Sequence, residues 1–462
     1  MEMGSDEAPL LLPVPAVEGC PGCVLERRKA HGDRRIPYRE FLLVGVTTLA
    51  SALPISCFYP FLYFMVRDFH IAQKEEDIGF YAGFLAASYM VGRGFAAIFW
   101  GIVADRIGRK PVIALSILSV VIFNTLFGLS TTYWMAIGTR IVMGSLNGLL
   151  GPMKVNTSWG LGLIVGPALG GYLAQPTEKY PQIFSKDCVF SRFPYFLPCL
   201  VISLFAAIVL IGCRWLPETI HKHKFSVNDT KIVKALSPVD EGNWDSPCKK
   251  NLLQNRSWMS TMIPYCLFGL HETAYSEIIS LWAVSDRMHG GLSFSTDDIG
   301  EVLAMAGASL LVSQLIIYPW VHKILGTVNS SRIASAASIP VLATYPFMTY
   351  LYGVKLSVTL YSVAMLKSAL SITAITGICL LQNNAVCQEQ RGTANGISTT
   401  AMSFFKAIAP IGAGALFSWA QKHYNAAFLP GDQVVFMMLN LVQLLGLIST
   451  FEPFLWLPAS PK

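Results

Sequence analysis

Six ionisable side chains sit in runs otherwise fit for lipid. Arg140 lies in "RIVMGSLNG", and His271, Glu272 and Glu277 in "CLFGLHETAYSEIISLW"; Lys367 and Lys406 lie in two later apolar runs. A charge in hydrocarbon is costly, so such groups normally face a polar cavity and mark an ion or substrate path. A carboxylate enclosed in this way is suited to taking up and releasing a proton, and Glu277 lies deepest in its run. Lys367 and Lys406 are its candidate partners, and a structural ion pair is the plainer role for all three. For His271 and Glu272, structural roles weigh as heavily as functional ones. Arg140 is only seven residues past Tyr133, so snorkelling to an interface competes with a cavity-facing placement.

The elements that must hold these groups are helices crossing a bilayer. Hydrophobic residues make up 53% of the 462, charged residues 13%, and mean hydropathy is +0.50. Soluble domains are about 25% charged. A bilayer core about 30 Å thick takes about 20 apolar helical residues. Twelve runs meet or approach that length, at 42–66, 79–101, 112–130, 133–150, 156–174, 195–213, 258–284, 299–320, 333–352, 356–381, 393–419 and 434–451. The polar stretch 214–257 divides them six and six. The expected fold is an all-α membrane protein in two pseudo-symmetric six-helix halves, 42–213 and 258–451. Tails 1–41 and 452–462 and the loop 214–257 lie outside the membrane.

Of the 34 Lys and Arg, 22 fall on the side of the termini, eight on the other side, and four within spans. That bias predicts cytosolic termini. It also accounts for the net charge of +6 without nucleic acid. The acidic start, broken by Pro9, Pro13 and Pro15, is not that of a signal peptide. The ten cysteines form no disulfide framework; those in apolar runs read as small packing residues. No phosphate-binding G-x-x-x-x-G-K-[ST] is present. An enzyme is not expected, nor a cofactor; the expected partners are the bilayer, a small solute and protons.

Three motifs refine this. "GIVADRIGRKP" follows span 2 and carries Gly101, Asp105, Arg106, Gly108, Arg109 and Lys110. It resembles the signature loop of the major facilitator superfamily, and the resemblance implies a latch between the two halves. Arg140 and Gly144 resemble the R-x-x-x-G element of proton-coupled members. Gly162, Gly166, Pro167, Gly170 and Gly171, in "GLGLIVGPALGG", resemble the fifth-span motif of superfamily antiporters. Small residues at every fourth position give one smooth helix face for close packing, and the proline bends the helix.

The second half carries weaker echoes. Pro410 and Ala413–Gly414 match Pro167 and Gly170–Gly171; in "PWVHKILG", Lys323 and Gly326 stand where Asp105 and Gly108 stand. Such internal repeats are what a transporter built from two halves predicts. They also expose a gap. Residues 133–174 barely cover two crossings of about 30 Å at about 1.5 Å per residue. The stretch between spans 4 and 5 is short by comparison with its repeat.

"CPGC" (Cys20 to Cys23) and "PETIHKH" (Pro217 to His223), added to these motifs, are similar to the zinc-induced facilitator family of plants. The resemblance runs nearly end to end. It implies a plasma-membrane or vacuolar carrier that moves nicotianamine, mugineic-acid-type chelators or potassium against protons. The family carries a charged cytoplasmic segment between "GPMK" and "TSWG" that is missing here. Cys20, Cys23, His221 and His223 have the ligand types of a zinc site. "DEAPLL", with Asp6, Leu10 and Leu11, fits an acidic dileucine sorting signal and favours the vacuolar membrane. The expected function is proton-coupled antiport of an organic metal chelator. A direct zinc or potassium exchanger, or a non-transporting variant associating with full-length protein, are the alternatives.

Overall fold

The computed structural model describes residues 38–147, 156–216, 252–386, 390–423 and 431–456. All regular structure among them is helical, and helices fall at each of the twelve expected positions. They are numbered α1 to α12 here. In the first half, α1 is Tyr38–Ser56, continued by Leu62–Asp68; α2 is Ile78–Ile107; α3 is Arg109–Ser119, extended through a π-turn to Gly128; α4 is Tyr133–Leu146; α5 is Asn156–Leu173; α6 is Phe196–Gly212. In the second half, α7 is Arg256–Val284, α8 is Thr296–Val312, α9 is Tyr318–Ala343, α10 is Gly353–Asn384, α11 is Arg391–Lys422 and α12 is Gly431–Ile448.

Among the described residues six stretches are long and apolar enough to cross a membrane: Leu42–Asp68, Arg109–Gly128, Phe196–Trp215, Thr296–Tyr350, Gly353–Asn384 and Thr393–Lys422. Two shorter apolar helices, Gly160–Leu173 and Gln433–Ile448, accompany them. α4 has 14 residues, about 21 Å of helix, short of the bilayer core. It ends four residues before the expected boundary at 150. The shortened junction at 148–155 lies outside the described residues.

Two expected loops are not loops. α2 runs to Ile107 and α3 starts at Arg109, so "GIVADRIG" is helix up to a break at Gly108, with φ 113° and ψ 162°. "PWVHKILG" is likewise helical, and α9 kinks inside it at Gly326, with φ 74° and ψ 175°. A β-carbon disfavours positive φ, so glycine is the residue that turns the chain there without a longer loop. α9 then ends at Ala343, ahead of the expected 352, in a 3₁₀ turn that holds Pro346.

Two glycine-lined seams join the halves. A β-carbon on Gly83 of α2 would strike the Pro410 carbonyl of α11, and one on Gly414 would strike the Gly79 carbonyl. In the other seam a β-carbon on Gly300 of α8 would strike the Pro167 carbonyl and Gly171 of α5. Gly162, Gly166 and Gly170 press instead on Ala52, Ser56 and Cys57 of α1, and the Ser56 hydroxyl donates to the Gly162 carbonyl at 2.8 Å. The five-residue motif thus serves two neighbours, one in each half. Close backbone approach of this kind is what small residues provide in lipid. The seams sit near the starts of α2 and α8, at one end of the bundle.

Candidate transport site

α1, α2, α4, α7 and α10 bring the ionisable groups to the buried centre. Arg140 of α4 is 1% exposed, so it does not snorkel. Its guanidinium lies 3.8 Å from the Phe58 ring, 5.2 Å from Phe127 and 5.9 Å from Tyr89. Its Nε and Nη1 have no hydrogen-bond partner. Stacking on aromatic faces is the stabilisation open to such a cation.

Glu277 of α7 is fully buried, and neither carboxylate oxygen has a hydrogen-bond partner. The sequence offered it Lys367 or Lys406; it takes neither. Lys367, also fully buried, binds Glu272 at 2.7 Å, and its ammonium sits 3.4 Å above the Tyr275 ring. Tyr275 and Tyr345 share a hydroxyl–hydroxyl hydrogen bond of 2.6 Å. What acts on Glu277 is the charge of Arg140, beyond ion-pair contact. Tyr59, in the turn that interrupts α1, is an electrostatic neighbour of both. His271 is buried with Nε2 unpartnered and feels Lys367 and Glu272.

The site therefore holds a closed ion pair, Lys367–Glu272, and beside it two opposite charges that do not meet. An unpaired charge in an apolar interior is costly. Protonation of Glu277 removes one such charge; an anionic cargo group on Arg140 answers the other. Lys406 of α11 is half-buried and makes no ion pair among the described residues. The signature-loop residues Gly101, Asp105 and Arg106 fall in the last turns of α2, where the side chains lie outside the described set. Lys110, at the start of α3, donates to the Arg214 carbonyl at 2.8 Å and ties α3 to the end of α6. Cys20, Cys23, His221 and His223 lie outside the described residues, as do Asp6, Leu10 and Leu11. Among the described residues no group of three His, Cys, Asp or Glu converges as a metal site.

Sequence reasoning missed the aromatic collar of Phe58, Tyr89, Phe127 and Tyr275, since an aromatic in a membrane span carries no signal of what it faces. It also missed two lysine ties over the seams. Lys179 donates to the Gly171 carbonyl and Thr296 and pairs with Asp297. Lys422 pairs with Asp77 at 2.5 Å. Tyr172 and Tyr361 both donate to Glu301 of α8.

The sequence matches the profile of the Major Facilitator Superfamily over residues 44–155 and again over 153–410. The break between the two matches falls at the shortened α4–α5 junction. Protein ZINC INDUCED FACILITATOR-LIKE 1 of Arabidopsis thaliana is 50% identical over 474 residues, covering 98% of this chain and 99% of the relative. Protein ZINC INDUCED FACILITATOR 1 of the same plant is 49% identical over 466 residues, 95% and 96% of the two chains. Both alignments are longer than the 462-residue chain itself, so these relatives have residues without counterparts here. Among solved structures, a D-xylose–proton symporter superposes with a TM-score of 0.67 at 12% identity, covering 90% of this chain and 97% of the other. A bacterial homologue of the human lysosomal transporter Spinster, inward-facing and unoccupied, gives 0.63 at 12% identity, covering 92% and 100%. At such identities these likenesses speak for the fold alone.

Proposed function

The chain belongs to the major facilitator superfamily and, within it, to the zinc-induced facilitator family, and on that footing we propose that it is a proton-coupled antiporter of a small organic metal chelator. Membership makes it a multi-pass membrane protein and a secondary transporter, not an enzyme. The cargo class, the coupling ion and the compartment are our reading. The cargo is a nicotianamine- or mugineic-acid-type chelator, and its export from the cytosol bears on zinc and iron distribution. The dileucine pattern at Asp6, Leu10 and Leu11 favours the vacuolar membrane.

One observation carries the coupling: the Glu277 carboxylate is buried with no hydrogen-bond partner while Arg140, whose Nε and Nη1 are also unpartnered, acts on it electrostatically. Proton and cargo can then compete through these two groups. Protonated Glu277 leaves Arg140 free for a cargo carboxylate, and ionised Glu277 answers Arg140 in its absence. With cytosolic termini, as the Lys and Arg bias favours, the glycine seams lie at the outer end of the bundle. The antiport motif belongs to those seams, and Lys367–Glu272 is a structural pair beside the site.

The test is pH-driven exchange of nicotianamine in proteoliposomes. Glu277→Gln is expected to abolish it. Unchanged uptake in that variant overturns the assignment. A second reading rests on the 14-residue α4 and the overlong alignments: a chain that folds but does not transport. It predicts no uptake by the unmodified chain and recovery when the relatives' additional residues are inserted after Lys154.

A further inference from the structure

Two more cations remain unexplained by this mechanism. Arg93 of α2 and Lys406 of α11 are half-buried, and neither has a hydrogen bond or ion pair among the described residues. Their positions aim them inward. Arg93 is one turn past Tyr89, which is 1% exposed and neighbours Arg140, and residues four apart share a helix face. Gly144 of α4 packs on the backbone of Tyr89 and Arg93. Lys406 lies one turn past Met402, which packs on Gly269 of α7, and one turn before Pro410, which meets Gly83 of α2. It therefore faces the gap between α7 and α2, and the charge of Arg93 acts on it.

Like charges brought together without a counter-ion are an unfavourable arrangement unless something anionic visits. The acidic group that acts on Lys406 is Glu272, and Glu272 is already held by Lys367. Next to Arg93, the Tyr89 hydroxyl and the Asn147 amide are buried beside one another. Among the described residues the buried centre thus presents four cations, Arg93, Arg140, Lys367 and Lys406, against two carboxylates, Glu272 and Glu277.

We propose that Arg93 and Lys406 form a second, anion-accepting subsite, with Tyr89 and Asn147 as its neutral hydrogen-bonding members, so that a cargo with two separated anionic groups bridges it and Arg140. The inference rests on the reading of this cavity as the cargo path. The two-subsite geometry selects molecules with at least two carboxylates or phosphates over singly charged ones.

The experiment titrates the purified full chain, in metal-free buffer and without a gradient, with citrate, with inorganic phosphate and with trimethyl citrate. Citrate is expected to saturate and the uncharged ester not to bind. Arg93→Gln and Lys406→Gln are each expected to weaken citrate binding about tenfold, the loss of one hydrogen bond to a charged group. Lys406→Arg should stay within about twofold of the parent, which separates lost charge from lost folding. Displacement of citrate by phosphate assigns a phosphorylated cargo, and its failure assigns a polycarboxylate. Ester binding equal to citrate, no binding of either anion, or titrations unmoved by both Gln variants overturns the subsite. A chain that binds citrate in this way yet exchanges no protons refutes the antiport reading and leaves the subsite standing. Normal exchange with citrate binding unmoved by the Gln variants does the reverse.

Discussion

Each half brings one buried cation to the centre, and the two are answered differently. Arg140 of α4 lies on the ring of Phe58 in the α1 turn; Lys367 of α10 lies on the ring of Tyr275 in α7. The cation–aromatic contact is common to both. The carboxylate is not: Glu272, three residues before Tyr275, holds Lys367, whereas Ile55, three before Phe58, is apolar and buried. The half with a carboxylate beside its cation has a closed pair. The half without one keeps a guanidinium in reserve. The fold is shared; of these two fully buried cations, the one without a carboxylate partner is in the first half.

The sharpest way to break this contrast is to remove each cation. Lys367→Met strands Glu272 and is expected to destabilise the protein by about 3 kcal/mol, the cost of breaking a buried pair from one side. Arg140→Met breaks no ion-pair contact, and Glu277 can take up a proton in its place, so its thermal midpoint in detergent should move by under about 1 kcal/mol equivalent while exchange is lost. Equal destabilisation by the two substitutions would mean that Arg140 is as fully paired as Lys367.

A smaller effect tests whether the backbone keeps the symmetry that the charges lost. Gly108 and Gly326 both adopt positive φ with extended ψ where one helix gives way to the next. Gly108→Ala and Gly326→Ala should each cost about 1–2 kcal/mol for the strained conformation. At Gly326 no atom lies within 4 Å of the added carbon, so a larger loss there would point to strain of another kind. The smallest expected effects are at the polar ties. Lys179→Met removes three interactions over the α5–α8 seam and should cost under about 1 kcal/mol. Lys422→Met removes one exposed pair over the α2–α11 seam and should change less. Amide hydrogen exchange at 78–83 and 296–301 reads both, and faster exchange at 78–83 than at 296–301 would reverse the ranking.

The sequence made much of this legible. Apolar runs placed the helices, and Pro167 and Pro410 correctly marked matching positions, since each faces a glycine of the opposite half. With that register, Lys179 and Lys422 were within reach, for each follows its proline by twelve residues. The partner of Glu277 was not legible. Which of two lysines meets which of two glutamates depends on the rotation of α7 against α10, and apolar periodicity is blind to rotation when a helix is buried on most sides. The helical nature of the signature segment was missed for a different reason. A basic, glycine-containing stretch reads as a loop, but a single glycine at positive φ turns the chain in one residue.

The seams have a kinetic consequence. Where Gly83 meets the Pro410 carbonyl and Gly300 meets the Pro167 carbonyl, backbone lies against backbone, so at those points parting the helices requires no rotamer to be lifted out of a hole. The ammonium–carboxylate ties above the seams then add a salt-sensitive share to the opening of that end of the bundle, and low salt should slow it.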